Sequence, residues 1–180
     1  IISKIESRLA LTNLASILEA ADAVLIDRGD LSREVPLEQI PMMQKKIIRT
    51  ANDAHVPVYV ATNLLESMIT EPRPTRAEVN DVINTLLDGA DGLVLAAETA
   101  IGHLPVECTR MIRTLINQQV TDLVQATVQH LQHERIGSVD DVRASDRRLV
   151  TFSEELQRLR APLKQLLWTQ LYHHYRVVRM

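Results

Sequence analysis

The sequence predicts an α/β protein, namely half of a TIM (β/α)8 barrel with four parallel strands, followed by an all-α C-terminal region. Four short apolar runs alternate with helical periods over the first 110 residues, and this order indicates right-handed βαβ units. The runs recur about every 25–35 residues, as in such a barrel. Residues 111–180 contain one glycine and one proline, which favours helices there.

Each predicted strand is a β-branched or apolar run that ends at polar residues. The four runs cover residues 1–6, 23–26, 56–61 and 92–97. Between them, apolar residues at helical spacing predict helices over residues 11–21 and 37–54 and around residues 82–87. Strands that alternate with helices in this way form a parallel sheet.

The C-terminal region is predicted to be helical. Residues 106–134 lack glycine and proline and carry one apolar stripe, so a single helix is expected there, ending at Gly137. Ser153 before two glutamates predicts the start of another helix. Pro162 is expected to kink or restart that helix, and an apolar face follows over residues 163–171. The predicted domains are residues 1–112 and 113–180.

The composition indicates a globular protein but conceals a division in charge. The 180 residues are 46% apolar with a net charge of -3, so nothing calls for nucleic acid or a membrane. Residues 1–110 carry a net charge of -6 and residues 111–180 a net charge of +3. The single cysteine, Cys108, excludes an intramolecular disulfide and a multi-cysteine zinc site, and suits the reducing cytoplasm.

Polar residues follow all four predicted strands, at the edge where parallel barrels build their active sites. They are Lys4 and Glu6, Arg28-Gly29-Asp30, Thr62-Asn63 and Glu98-Thr99. Lys4 and Glu6 share one face of a strand, and Glu6 could share a hard divalent cation with Asp30. Gly29 lets the backbone approach an anion. Such a set suits phosphoryl transfer, although a Lys-x-Glu pair at a strand end is also common as a solvated ion pair.

These residues lie in a sequence that resembles the pyruvate kinase barrel domain from its fifth to its eighth strand. The resemblance covers about residues 1–112, and its most specific stretch is residues 61–78. The matching stretches are residues 4–6 (KIE), 27–31 (DRGDL), 57–68 (PVYVATNLLESM), 72–78 (PRPTRAE), 87–92 (LDGADG) and 98–100 (ETA).

The resemblance implies a metal-dependent phosphotransferase of glycolysis. Lys4 would neutralise the phosphoryl group in transfer, and Glu6 and Asp30 would bind Mg²⁺ or Mn²⁺. The implied reaction converts phosphoenolpyruvate and ADP into pyruvate and ATP. K⁺ is also implied, but the family carries its ligands on strands that this sequence does not contain.

The same resemblance implies which groups hold the substrate carboxylate. They are the backbone at Arg28, Gly29 and Asp30 and the hydroxyl of Thr62. Thr62 is also implied in the path that protonates the enolate.

Four departures from the family pattern bear on this site. Ala96-Ala97 replaces the usual Ser-Gly, which removes a hydroxyl suspected of relaying the proton. Asp27 replaces a common alanine and adds a carboxylate beside the metal ligands. Ser32 replaces a usual glycine, and Asn63 a usual glutamine. The departures suggest impaired turnover or an altered substrate.

The C-terminal region instead resembles the C-terminal helical part of deoxyguanosine triphosphate triphosphohydrolase-like proteins. The matching stretches are residues 113–117, 120–123, 138–143, 149–153 and 172–180. The His-Asp metal motif of that superfamily is absent from the sequence. A metal contact by His130 and His133 is less expected than an exposed helical pair, and His173-His174 is expected at a surface or interface.

Three neighbouring arginines of the C-terminal region could meet a nucleotide phosphate, but a solvated face is the simpler expectation. They are Arg143, Arg147 and Arg148. The two resemblances together predict a chimera, which could be an artificial or generated sequence, an assembly artefact or a natural gene fusion.

Two alternatives to the phosphotransferase stay open. The first is a non-catalytic Mg²⁺- and anion-binding or oligomerisation module, because the two edges of a half-barrel invite pairing with another chain and so favour a homo-oligomer. The second is a deoxynucleoside triphosphate hydrolase fragment.

Overall fold

A computed structural model of the chain describes residues 1–157. They fall into two compact units, with the boundary after Ile116. The predicted kink at Pro162, the apolar face over residues 163–171 and the pair His173-His174 lie outside the described residues.

The first unit alternates strands and helices. Its elements are β1 (Ile2–Ile5), α1 (Arg8–Thr12), α2 (Leu14–Ala20), β2 (Ala23–Asp27), α3 (Arg28–Glu34), α4 (Ile40–Asp53), β3 (Val58–Ala61), α5 (Arg76–Leu87), β4 (Gly92–Val94), α6 (Ala97–Ala100) and the start of α7 (Pro105–His133). Short 3-10 turns precede α4 at Leu37–Gln39 and follow β3 at Glu66–Ile69.

The four strands form one parallel sheet in the order β1-β2-β3-β4. Ile5 lies beside Ile26, and Asp27 lies beside Ala61, which in turn lies beside Val94. The carboxyl ends of all strands therefore meet at one edge. This arrangement confirms the predicted α/β fold with four parallel strands.

The local structure differs from the prediction at three points. The helix predicted after β1 is divided in two at Asn13. Arg28 begins α3 directly after β2, because the Asp27 side chain caps the helix by accepting from the Asp30 amide at 3.4 Å. The fourth strand ends at Val94, since the backbone then turns into α6.

Two clusters of buried side chains form the core of this unit. One packs the sheet against its helices and includes Ile5, Ile26, Ile47, Ile48 and Val60, all fully buried. The other lies beneath the segment that follows β3 and consists of Leu64, Leu65, Met68, Val82, Cys108, Ile112 and Leu115. Cys108 is a free thiol, and burial raises its pKa. The second cluster supports the chain just beyond the carboxyl edge of the sheet.

Specific residues fix both the start and the end of α5. Thr75 and Glu78 form a capping box at its start. The Glu78 carboxylate also accepts from the Ser67 amide at 2.6 Å and from the Ser67 hydroxyl at 2.5 Å. Gly89 follows the helix with a φ of +102°, and a Cβ there would lie 2.6 Å from the Asn52 side chain. The spacing of Thr75, Glu78 and Gly89 thus defines both ends of α5.

The second unit contains the rest of α7 and the short helix α8 (Val139–Ala144). The long helix ends at His133 rather than at Gly137, because Arg135 adopts a left-handed φ of 55° and closes it. A capping box between Ser138 and Asp141 begins α8, which the sequence analysis did not predict. The Ser153 hydroxyl accepts from the Leu156 amide at 3.2 Å, as the predicted serine cap requires.

None of the helices within residues 1–157 combines the length and the apolar character needed to cross a membrane.

Glu98 connects β4 to the segment after β3 through a buried carboxylate. Its side chain is 1% exposed. One oxygen accepts from the amides of Leu64 and Leu65 at 3.2 and 3.1 Å, and the other accepts from the Ala96 amide at 2.8 Å. Burial acts to raise the pKa of Glu98, but these hydrogen bonds outweigh it and lower the pKa below its ordinary value.

We expect Glu98→Gln to lower the free energy of unfolding at pH 7 by about 1–3 kcal/mol, because the amide nitrogen of glutamine would face backbone donors. The folded pKa lies below the unfolded value of about 4.3, so the carboxylate stabilises the fold above that pH and the contribution disappears as the pH falls through the folded pKa. Urea unfolding between neutral and acid pH measures both effects. Glu19→Gln, at an exposed position of α2, is the control, and an equal acid dependence in Glu98→Gln and the wild type would contradict the assignment.

Candidate active site

The ammonium group of Lys4 lies at the centre of a charged cluster at the carboxyl edge of the sheet. Its Nζ atom is 2.6 Å from Glu6, 3.0 Å from Asp27 and 3.8 Å from Asp30. Lys4 is the penultimate residue of β1, Asp27 is the last residue of β2, and Asp30 lies in the first turn of α3. The parallel register of β1 and β2 therefore brings together the residues that the sequence predicted at this edge.

The three carboxylates form a group suited to a hard cation. One oxygen each from Glu6, Asp27 and Asp30 lies within 4.8 Å of the others. Opposite ligands of an octahedral Mg²⁺ lie about 4.2 Å apart, since each is about 2.1 Å from the ion. The group is the only one of three or more metal-ligating side chains among residues 1–157. The donor set and its spacing fit Mg²⁺ or Mn²⁺.

Mutual attraction shifts the pKa values within this cluster apart. Hydrogen bonds to Glu6 and then to Asp27 raise the pKa of Lys4. Burial acts to raise the pKa of Asp27, but the hydrogen bonds from Lys4 and the Asp30 amide outweigh it, and the pKa lies below its ordinary value. Lys4 is therefore an ammonium ion and Asp27 a carboxylate at neutral pH.

Thr62, the residue that follows β3, places its hydroxyl at the same carboxyl edge of the sheet. Its Oγ1 atom accepts from the Gly29 amide at 2.8 Å. The same oxygen lies 2.6 Å from the carbonyl oxygen of Ala61 and 3.3 Å from Asp27 Oδ1, and its one proton can be donated to either. The structure thus brings Thr62, Gly29 and Asp30 together. The Gly29 and Asp30 amides, which the family resemblance assigns to a substrate carboxylate, both donate to side chains of the chain itself.

The Arg28 side chain holds the residues after β3, a function that the sequence analysis missed. Its guanidinium donates to the carbonyl oxygen of Thr62 at 2.7 and 3.1 Å and to that of Asn63 at 3.0 Å. It also pairs with Asp81 at 2.6 Å, and only 11% of the side chain is exposed. The carbonyl oxygen of Gln44's side-chain amide is a further acceptor at 3.4 Å. Only the backbone of Arg28 was expected at the site, because the Arg-Gly-Asp pattern carries no local signal for the contacts of the side chain.

A small cavity of about 70 Å³ lies beside Thr62. Its wall consists of Thr62, Asn63, Glu66, Ile69, Ala96, Ala97 and Glu98. Residues 96 and 97, where the family resemblance implies Ser-Gly, are both alanine and bring no side-chain hydroxyl to this space. The hydroxyl whose absence the sequence analysis noted is therefore missing at a position close to Thr62.

Glu98 and Thr99 do not join the charged cluster. The Glu98 side chain is buried against backbone amides, as described above, and Thr99 is exposed on α6, where its hydroxyl lies 3.3 Å from the Ala96 carbonyl oxygen. Glu98 is therefore part of the support beneath the edge, whereas the Thr99 hydroxyl contacts only the start of its own helix. A polar residue after a strand can therefore anchor the backbone as well as face a ligand, and only the fold distinguishes the two.

Arg143 and Arg147, two of the three arginines considered for a phosphate, form ion pairs within the second unit. Arg147 contacts Glu134 at 2.9 Å, and His133 lies 3.6 Å from the same carboxylate. Arg143 lies 3.5 Å from Asp140. His130 and His133 belong to no group of three metal-ligating side chains among the described residues.

Comparison with known proteins connects this edge to one family. The family model for the barrel domain of pyruvate kinase matches residues 1–109. Pyruvate kinase 2 of Synechocystis sp. is 49% identical over 112 residues, which are 62% of this chain and 19% of that protein. The pyruvate kinase of Mycobacterium tuberculosis is 38% identical over 182 aligned positions, which cover 94% of this chain and 39% of that protein. The mycobacterial match therefore continues beyond residue 112 at lower identity.

A solved structure supports the same assignment. The crystal structure of a pyruvate kinase from Cryptosporidium parvum superposes with a TM-score of 0.63 at 44% identity, covering 64% of this chain and 23% of that one. The chain spans between about a fifth and two fifths of the length of the curated relatives given above. Its sequence, its parallel sheet and the residues at the sheet's carboxyl edge show that the chain belongs to the pyruvate kinase barrel domain family.

Proposed function

We propose that this chain carries the metal- and phosphoryl-binding side of a pyruvate kinase-type phosphotransferase site. The observation that carries the proposal is the position of the Lys4 ammonium within 4 Å of three carboxylates that can share one divalent cation. Phosphoryl transfer depends mainly on positioning and on stabilising charge, and a cation beside a lysine provides both. Mg²⁺ or Mn²⁺ is the proposed cofactor.

The reaction proposed is transfer of a phosphoryl group between phosphoenolpyruvate and ADP, as the names of the relatives suggest. Lys4 would neutralise the transferred group, and Glu6 and Asp30 would hold the metal ion. Thr62 would contact the substrate carboxylate. It would also lie in the path by which the enolate is protonated. Because the chain spans only part of its relatives, the complete activity, its K⁺ dependence and a cytoplasmic location belong to the proposal.

The metal site is tested by Asp30→Ala. Losing one of the carboxylate ligands should weaken Mn²⁺ binding by about tenfold or more, measured by calorimetry or by the electron paramagnetic resonance of free Mn²⁺. Asp53→Asn is the matched control, because Asp53 is exposed at the end of α4, away from the carboxyl edge. Equal Mn²⁺ affinities in Asp30→Ala and in the wild type would refute the metal assignment.

The function of Lys4 is tested by Lys4→Met in a coupled assay with phosphoenolpyruvate, ADP, Mg²⁺ and K⁺. Turnover should fall by about 100-fold or more, because a charge that stabilises the transferred group is lost. Mn²⁺ affinity should increase in the same variant, since a cation has been removed from beside the metal. Lys46→Met, at an exposed position on α4, is the control.

The assay also distinguishes a phosphotransferase from a protein that only binds ligands. Turnover that survives Lys4→Met would exclude the lysine from the reaction. Mn²⁺ binding without any turnover in the wild type would restrict the chain to ligand binding, which is the second candidate function.

The second candidate is a binding module that closes its sheet by pairing with another copy of the chain. Within residues 1–157, β1 pairs only with β2, and β4 pairs only with β3. Ile2 at one edge is 61% exposed and Val94 at the other is 39% exposed. Unpaired edges of this kind are sites of strand addition, and this observation favours a homo-oligomer.

Ile2→Lys tests this candidate, because a lysine on an edge strand opposes pairing. Sedimentation velocity over a wide concentration range should show an oligomer for the wild type and a monomer for the variant. Leu9→Lys, also at an exposed apolar position but on α1, should leave the oligomer intact. A wild-type chain that stays monomeric at every concentration would contradict the proposal.

The triphosphohydrolase resemblance of the C-terminal region and the chimera it implied remain predictions. No described residue group provides the metal ligands of such an enzyme in that unit. Release of triphosphate from dGTP by the purified chain would be the evidence for it.

A further inference from the structure

Arg33 adds a second cation to the charged cluster at the carboxyl edge. Its guanidinium nitrogen lies 3.2 Å from Asp30 Oδ1, whereas the Lys4 ammonium lies 3.8 Å from the other oxygen, Oδ2. Asp30 therefore has a cation beside each of its two oxygens. Arg33 lies in the last turn of α3 and Asp30 in the first. Because helix side chains lean toward the start of their helix, the guanidinium reaches back to the edge of the sheet.

The contact between Arg33 and Asp30 can be exchanged for another at little cost. Within residues 1–157 it is the only ion pair of Arg33, and 80% of that side chain is exposed. An exposed ion pair contributes little to stability, because water solvates both charges once they separate. The long arginine side chain can therefore turn from Asp30 to another anion.

We propose that Arg33 is a specificity-determining residue, which leaves Asp30 when a metal ion binds there and then contacts the phosphate group of the ligand. The proposal rests on the proposed function, because it concerns the metal ion and the phosphate ligand of the same site. It assigns a function to a side chain that the predicted site does not include.

The first argument concerns Asp30, which cannot serve two cations equally well. Glu6, Asp27 and Asp30 can share a divalent ion, and the guanidinium beside Asp30 would be repelled by that ion. Metal binding therefore weakens the contact between Arg33 and Asp30. By linkage, Arg33 weakens metal binding to the same extent.

The second argument concerns the charge that a ligand would meet. Lys4, Arg33 and the three carboxylates together carry one net negative charge, which a divalent ion converts into one net positive charge. Without Arg33 the cluster that holds the metal ion would be neutral. A phosphate group carries up to about two negative charges at neutral pH, so Arg33 supplies the net positive charge that attracts it.

The third argument concerns the kind of anion that an arginine recognises. A guanidinium presents parallel N–H groups that match two oxygens of one phosphate, and such charge-assisted pairs are stronger than neutral hydrogen bonds. The Lys4 ammonium acts instead as a point charge. A terminal phosphate has enough oxygens to contact the metal ion, Lys4 and Arg33 together. Exchanging Asp30 for phosphate therefore gives Arg33 a partner of higher charge.

The test compares Mn²⁺ affinity with ligand affinity on the full 180-residue chain. Calorimetry measures the dissociation constant of Mn²⁺ and then, at saturating MnCl₂, those of phosphoenolpyruvate, ADP and pyruvate. Arg33→Gln removes the charge, whereas Arg33→Lys keeps the charge and loses the parallel N–H groups. Pyruvate has no phosphate group and is the reference ligand.

We expect Arg33→Gln to shift the two affinities in opposite directions. Mn²⁺ should bind about fivefold more tightly and the phosphate ligand about fivefold more weakly than in the wild type, which is the effect of one unit charge at about 4 Å in water. Pyruvate affinity should change by less than about twofold, and Arg33→Lys should lie between the wild type and Arg33→Gln. A loss confined to phosphoenolpyruvate or to ADP identifies whose phosphate Arg33 contacts.

Arg49→Gln is the matched control. Arg49 is 81% exposed and forms a similar ion pair with Asp53 on α4, away from the carboxyl edge. This variant should leave the Mn²⁺, phosphoenolpyruvate and ADP affinities unchanged.

Each failure has its own result. If Mn²⁺ and phosphate affinities fall together in Arg33→Gln, Arg33 only supports the local structure and the inference is wrong. If neither changes, or if pyruvate loses as much as the phosphate ligands, Arg33 does not select phosphate and the proposed function survives. If the wild type binds no Mn²⁺, the proposed function fails and the function assigned to Arg33 fails with it.

Discussion

The contact between Arg28 and the two residues after β3 is the constraint on which the site depends. Thr62 and Asn63 both have positive φ angles, 68° and 54°, and each such residue costs about 1–2 kcal/mol. The Arg28 guanidinium donates to the carbonyl oxygens of both, so it holds them in this conformation. Asp81 neutralises the enclosed guanidinium. Because the backbone is fixed in this way, the Thr62 hydroxyl reaches the Gly29 amide and the end of β3 is joined to the start of α3.

Glu98 supports the same segment from the opposite direction. Arg28 donates to carbonyl oxygens at residues 62 and 63, whereas Glu98 accepts from the amides of residues 64 and 65. Four consecutive residues without regular secondary structure thus receive hydrogen bonds from one arginine and one carboxylate. Buried backbone groups must be paired. In this segment two charged side chains supply the hydrogen bonds that a strand or a helix would otherwise supply. The loop can then be both irregular and well defined.

The residues that form strands and helices could be predicted from periodicity, but the use of charged side chains could not. The four strands and the long helix over residues 105–133 follow from apolar spacing and from the positions of glycine and proline. Glu98 follows a strand in the same way as Glu6 does, yet one is buried and the other lies at the edge. Glu98 is buried because it accepts hydrogen bonds from amides more than 30 residues away in the sequence. No local sequence pattern can predict such a contact. A Ser-x-x-Asp signal for α8 was present at Ser138 and Asp141, and a systematic search for capping boxes would have found it.

Most of the side chains that support this edge are not members of its charged cluster. Arg28, Glu78 and Glu98 lie within the stretches that match the family, and each bonds to backbone groups that position the edge. Two of the four departures that the resemblance implies lie at this edge, with Asp27 inside the carboxylate cluster and residues 96 and 97 on the wall beside Thr62. Asp27 contributes both to the cluster and to the support of the fold, since it adds a carboxylate to the cluster and its side chain also caps α3. The architecture of this edge is therefore the one that the family shares, whereas the function of any such site has to be argued from the individual side chains that the fold positions.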